Sequence, residues 1–377
     1  MKKRIDLENL IYFTVVAIPL YLVRFPFVNL LEIIILADLF FWILYKEYRK
    51  IDGRRFFEQY KGFVLAVGLI FFGLFLSTAV NGNYAAGLGI IKSWFVMPLI
   101  FVGIVAVSLP KEKYLNIFRA LYLSAFLVAL VAVIFLLVGK VTYDFRLEAI
   151  YDSPNYLAMY LAPAIIIGLV LFKEKKFYYG VSLAVILTAF YFTFSYGAWL
   201  AVAALLLAAA LMNRKYNKKA VFGLVIFGIF IVSQLHAGKL ESLVTFNSRS
   251  SLVSRIMIWQ AAGKMIARHW FLGIGPGNFQ AKYLAYQKYF PPYLEWAVPH
   301  PQSLYLTFWL YSGMLGFSGF LLLIVLSVKN FFQKKRNALW LISFGILLYF
   351  LIHGLADTTY FKNDLALVFW LTILGVI

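Results

Sequence analysis

The sequence predicts an all-α fold, a polytopic membrane bundle of about 12 transmembrane helices with one large outer loop that itself contains helices. Three observations carry that prediction. Of the 377 residues, 63% are hydrophobic, more than the roughly half found in soluble domains. The apolar residues collect in runs close to the ~20 residues that span a hydrocarbon core. The Lys and Arg residues gather in alternate gaps between those runs, the asymmetry that orients a polytopic protein.

The runs lie at 8–24, 27–45, 62–80, 87–109, 114–138, 154–172, 177–194, 196–212, 219–235, 302–327, 338–356 and 362–377. Only Ser195-Tyr196-Gly197 separates the seventh from the eighth. The N-terminus and the gaps at 46–61, 111–113, 173–176, 214–219 and 329–336 together hold 22 of the 35 Lys and Arg residues. The opposite side holds 12, seven of them in one long loop. Both termini are therefore expected in the cytoplasm. The start, MKKRIDLENL, is too charged for a cleaved signal, so the first run is expected to remain as an anchor. Residues 1–377 read as a single transmembrane domain. With no cysteine there is neither a disulfide framework nor a thiolate metal site. The formal charge of +19 is a topology signal: the basic clusters are short loops without a recognisable binding module, so no nucleic-acid partner is expected.

The predicted cytoplasmic loops are short, the longest having 16 residues at 46–61, and no G-x-x-x-x-G-K-[ST] occurs. Chemistry is therefore expected on the outer face. There, residues 236–301 form a 66-residue loop and 139–153 a smaller one, and long structured loops in compact proteins usually carry function.

Within the large loop, SSLVSRIMIWQAAGKMIARHW (250–270) has a helical pattern. At about 100° per residue, Ile258, Ala262, Ile266, Trp259 and His269 fall within about 60° of Arg255, whereas Lys264 and Arg268 fall on the far side. This places Arg255 in the middle of the apolar stripe, where a guanidinium needs an anion, either a protein carboxylate or a ligand. The loop offers only Glu241 and Glu295 against seven basic residues, a balance that suits a lipid head group or a diphosphate. GIGPGNF (273–279) follows; its alternate glycines, Gly275 central among them, fit a plain tight turn or a phosphate cradle. In the smaller loop, DFRLEAIYDSPNYLA (144–158) predicts a helix start with Ser153 as N-cap and Pro154 at the first helical position. Asn155 and the free N–H groups there suit an anion. Arg146 is the nearest cation, and Asp144, Glu148 and Asp152 are alternative partners for it. Among ionisable groups in or near the runs are Glu32, Asp38, His353 and Asp357, with Lys92 and Arg119 near span ends, where long side chains snorkel. His300 stands between Pro299 and Pro301 at the mouth of an apolar run, where it is expected to meet water.

Taken in order, R-L…D-S-P-N-Y-L-A (146–158), S-Y-G-A-W-L (195–200), S-R-I-M-I-W (254–259), G-I-G-P-G-N-F (273–279), H-P-Q-S-L-Y-L (300–306) with Gly313 and Gly316, and H-G-L-A-D (353–357) resemble the O-antigen ligase superfamily. That superfamily includes O-antigen ligases, O-antigen polymerases and protein O-oligosaccharyltransferases. The resemblance runs from about residue 140 to the end, and its ordered set is more specific than any one motif. Many relatives carry Ser-Arg-Gly where this chain has Ser195-Tyr196-Gly197, so any donor contact by that arginine must be compensated here.

The resemblance implies a metal-independent, inverting glycosyltransferase of the bacterial inner membrane. It would move a glycan from undecaprenyl diphosphate to a periplasmic acceptor, the lipid A-core in a ligase, without a cofactor. The lack of D-x-D and the few outer carboxylates agree with a lipid-linked donor and arginine-based charge compensation. The implied roles are His300 as general base, with Arg255 and Arg146 stabilising the departing diphosphate and Arg249 in support. Asn155 would stand at the same diphosphate, and Tyr196, Gly275 and Asp357 would assist. The other reading of His300 is an interfacial helix-start residue. A polymerase using the same donor is the first alternative. A twelve-span transporter is the second, but the link between the sixth and seventh runs is only KEKK and the halves show no similarity.

Overall fold

The computed structural model describes residues 7–45, 53–211, 228, 251–289, 298–333 and 337–377. Apart from Gly228, the ninth apolar run lies outside the described residues, as do residues 236–250, Arg249 among them, and 290–297 of the large loop. Helices occupy most of each of the other eleven runs.

The first run is shortened. Helix α1 (Leu7–Val16) gives way to a 3₁₀ turn over Ile18–Leu22 containing Pro19, because proline lacks the N–H that would continue an α-helix. A two-stranded hairpin follows, β1 (Arg24–Phe25) with β2 (Val28–Asn29), reversing at Phe27 with φ of 68°. Then come α2 (Leu30–Tyr45), α3 (Gly53–Asn81) and α4 (Tyr84–Ile91), the last running through a π-helical turn at Lys92–Val96 into α5 (Met97–Ser108). Next are α6 (Tyr114–Leu137), α7 (Pro154–Leu171), α8 (Lys176–Phe192) and α9 (Tyr196–Leu211). The break between α8 and α9 falls at Thr193–Ser195, where Phe194 has φ of 46°. Helix α10 (Ser251–His269) and α11 (Phe279–Tyr286) belong to the large loop, and α12 (Leu304–Gln333), α13 (Ala338–His353) and α14 (Asn363–Val376) close the chain.

Five of these segments are long and apolar enough to cross a membrane: Tyr60–Asn81, Tyr84–Ser108, Lys111–Leu137, Pro154–Leu171 and Leu304–Gln333. Their outer faces stay apolar; Phe72 is 59% and Val325 61% exposed in mid-helix. Water would penalise that surface and lipid does not. The chain is a multi-pass helical membrane protein.

Helix α12 lies along α3 at backbone contact. A side chain at Gly73 would overlap the Ser312 carbonyl and the Gly316 amide, and one at Gly319 would come 2.6 Å from the Ala66 carbonyl oxygen. Small residues that let backbones approach hold helices together where lipid supplies no hydrophobic drive. Gly73→Leu is therefore expected to destabilise the protein by about 2 kcal/mol or more, read as a lower melting temperature in detergent. Gly68→Leu, with no neighbour within 4 Å of its missing Cβ, should leave it unchanged.

Several charged groups inside the bundle are paired. Asp38, for which the sequence suggests no partner, accepts from Thr14 Oγ1 at 2.6 Å. Lys92 and Arg119, near the span ends, also reach carboxylates. Lys92 Nζ reaches buried Glu32 at 2.7 Å and the Phe27 carbonyl at 2.6 Å, and Arg119 pairs with Glu174 at 2.8 Å. A buried charge needs such a partner because lipid and protein solvate it poorly.

Candidate functional site

The start of α7 anchors the first group. Ser153 Oγ accepts from the Asn155 amide at 3.3 Å with Pro154 at the first helical position, as the sequence predicts. Arg146 Nη2 donates to Asn155 Oδ1 at 2.6 Å and Nε to the Thr193 carbonyl at 2.8 Å. The alternative partners Asp144, Glu148 and Asp152 do not take it. Asp144 is engaged with Thr142, and Asp152 lies near Arg24 and Lys362. Two neutral acceptors fix the guanidinium, and among the described residues it makes no salt bridge. Burial pulls the pKa of Arg146 below its ordinary range; Asp144 opposes this, and the like charge of Arg255 adds to it. Tyr196 and Asp357 also act on Arg146, so Tyr196 stands beside this cation.

Arg255 needs a correction. The buried face of α10 consists of Ser254, Met257, Ile258, Ala261, Ala262 and Met265, centred about 90° from Arg255 on the helical wheel. The sequence reading gave too little weight to the two methionines and Ala261, which draw the packed face to one side. Arg255 is on its edge, with its side chain 18% exposed. There Nε donates to Gln302 Oε1 at 3.1 Å and Nη2 to Asp357 Oδ2 at 3.4 Å. The carboxylate comes from outside the large loop, so the shortage of acids within the loop does not leave Arg255 unpaired. The same α10 edge bonds again through Trp259 Nε1 to the Gln302 carbonyl at 3.2 Å.

The segment 300–304 is tied to the end of α13, because the Leu304 amide donates to the Gly354 carbonyl at 2.7 Å. A Cβ at Gly354 would meet Leu304 at 2.8 Å, so glycine is what permits the contact. This joins H-P-Q-S-L to H-G-L-A-D, 50 residues apart in sequence, and delivers Asp357 to Arg255.

His300 does not stand loose in water. Its ring meets Trp94 edge to face at 5.8 Å, and Nδ1 lies 2.9 Å from the Tyr311 hydroxyl. Its pKa is pushed down to about 4; burial is the largest cause, opposed by Asp357 and reinforced by Lys362. The helix dipole plays little part, because α12 begins only at Leu304 and a dipole effect fades outside the first turn.

Gly273, Gly275 and Gly277 all have φ between 70° and 81°. Missing side chains at these positions face Leu310, Asn81 and Ala86 respectively, so the turn is packed against α12, α3 and α4. Gly275 thus has a structural contact, and its contacts do not include the arginines or His300.

Sequence reasoning missed Trp94, Thr193, Gln302, Tyr311 and Lys362. Lys362 Nζ sits 3.4 Å over the Tyr156 ring and 3.4 Å from Asp152. Gln302 had a signal in H-P-Q-S-L; the others become visible only through the fold. Among the described residues, no group of three or more His, Asp or Glu has the arrangement of a metal site. Two surface pockets at the far end of α12, one lined by Lys111, Phe331 and Trp340 and the other by Lys61, Lys111 and Lys329, contain none of these residues.

The arrangement brings two arginines, a neutral imidazole and the capped start of α7 together at one end of the bundle. No curated protein matches the chain. Residues 181–321 match the family model described as O-Antigen ligase, a stretch that contains Tyr196, Arg255, Gly275 and His300. Over that segment, a little more than a third of its length, the chain is similar to the O-antigen ligase family.

Proposed function

We propose that this protein is an O-antigen ligase, an inverting, metal-independent glycosyltransferase that moves a glycan from undecaprenyl diphosphate to the lipid A-core. In this reading it crosses the inner membrane about twelve times with both termini cytoplasmic, and the site and the loop at 236–301 face the periplasm. The observation that carries the proposal is that Arg146 is held by neutral acceptors beside Arg255, with a neutral His300 in the same electrostatic neighbourhood.

The chemistry follows from that placement. The acceptor hydroxyl oxygen attacks the anomeric carbon from the face opposite the diphosphate, and the bond from that carbon to the phosphate oxygen breaks. Undecaprenyl diphosphate leaves with the electron pair, and the hydroxyl proton passes to His300 Nε2. Negative charge grows on the departing oxygen, where Arg146 and Arg255 stabilise it. Arg146 arrives without an ion pair; Arg255 exchanges part of its contact with Asp357 for phosphate. A bidentate guanidinium suits two phosphate oxygens, so the leaving group needs no divalent ion. Arg249, outside the described residues, is proposed as a supporting cation, with Tyr196 beside Arg146 in the place where relatives carry arginine.

The test is reconstitution with an undecaprenyl-diphosphate glycan and a lipid A-core acceptor. One glycan transferred per acceptor is the expected product. A ladder growing on the lipid carrier without the core would make the protein a polymerase with the same donor, and no transfer in either assay would sink the glycosyltransferase reading.

A further inference from the structure

His300 has two ring nitrogens, and only one can face the acceptor as a base. Nδ1 is committed to the Tyr311 hydroxyl at 2.9 Å. Tyr311 is 1% exposed and its ring is wedged edge to face against Phe361 at 5.3 Å. On the other side His300 meets Trp94, whose indole N–H is anchored on Asn363 Oδ1 at 3.2 Å. The ring is therefore clamped, and the bond at Nδ1 decides what Nε2 can do. If the phenol donates to Nδ1, Nε2 carries the hydrogen of neutral imidazole and can only donate. If Nδ1–H donates to the phenol oxygen, Nε2 keeps its lone pair.

We propose that Tyr311 is a positioning residue for His300: its phenol oxygen accepts from Nδ1–H, which selects the tautomer with a bare Nε2 and keeps an acceptor in place for the imidazolium formed during transfer. This rests on the base role given to His300 above. When Nε2 takes the proton, both nitrogens carry hydrogen, and a buried N–H with no acceptor would oppose the step. Tyr311 already provides that acceptor, so the ring need not turn. The charged groups acting on His300 are Asp357 and Lys362, neither of which makes a hydrogen bond to Nδ1.

Tyr311→Phe removes the oxygen and keeps the ring. The expected result is a fall in kcat of roughly ten- to a hundredfold, the scale of one hydrogen bond to a charged group, with KM for the donor little changed. The acid limb of kcat/KM should move to lower pH, since the imidazolium has lost its acceptor. An upward move would mean that the phenol had been the donor and would overturn the proposal, as would an unchanged rate and limb. A readout independent of activity is ¹⁵N NMR of histidine-labelled protein in nanodiscs, with His300 assigned by its loss in His300→Gln. Protonated Nδ1 and bare Nε2 are expected; the reverse pattern overturns the proposal even if Tyr311→Phe is unstable. If His300→Gln is inactive while Tyr311→Phe matches the parent, only this proposal fails. If His300→Gln is active, the base role itself fails.

Discussion

Replacing His300 by glutamine is expected to lower turnover by roughly 10²–10⁴-fold while leaving donor binding largely intact. Glutamine keeps a planar polar group able to bond Tyr311, so the clamp between Trp94 and Tyr311 should survive. An amide cannot take a proton at neutral pH, and that is the one property removed. The parent protein adds a pH signature. Its kcat/KM should hold steady through neutral pH and fall only as the pH drops through about 4, where the half-buried ring becomes protonated and loses its lone pair. A solvated histidine would put that limb near ~6.5. A His300→Gln variant with near-parental turnover and the same acid limb would reduce His300 to holding the acceptor in place.

Arg255→Lys should cost roughly 10²–10³-fold in kcat, the scale of losing one preorganised group aimed at developing charge. The guanidinium spends Nε on Gln302 and Nη2 on Asp357 and still has donors left for a phosphate. Lysine is a point charge on a flexible stem and cannot make that fork. Lys264→Ala is the control: it lies on the opposite edge of the packed face of α10, stacked 3.8 Å over Tyr289, and should keep near-parental activity. The protein should still insert and purify, since Arg255 is not in the packed stripe. Equal losses in the two variants would mean that α10 is generally sensitive, with no special role for Arg255.

The helices were legible because hydropathy and length are properties of the local chain. Where the reading missed, a non-local contact or an extra flank decided the outcome. Hydropathy carried the first run to residue 24, but Pro19 ends its α-helix early. At Arg255, Ile266 and Trp259 suggested one centre for the apolar stripe, and Met257, Ala261 and Met265 moved it. Arg146 and Asn155 were recognised together because nine residues and one helix cap separate them; Thr193, 47 residues away, could not be seen. His300 was singled out for its flanking prolines, yet its low pKa comes from burial, which no local motif reports. Lys362 follows H-G-L-A-D by five residues and carried no signal of its nearness to His300.

The π-helical turn at Lys92–Val96 sets a limit on the length of the chain there. It holds Lys92 toward Glu32 and Trp94 toward His300 and Asn363, while the Trp94 carbonyl accepts from Tyr360 Oη at 2.6 Å. A π turn is an α-helix carrying one extra residue. Deleting any single residue between 92 and 96 would restore a regular helix; the flanks would keep nearly their present phase, but side chains left in the turn would swing by as much as about 100°. Side chains in this turn can be exchanged one at a time, with losses confined to the contacts each makes. A deletion, even of a residue with no contact of its own, would separate Glu32 from its cation or His300 from its wall, so reading frame within the turn matters more than residue identity.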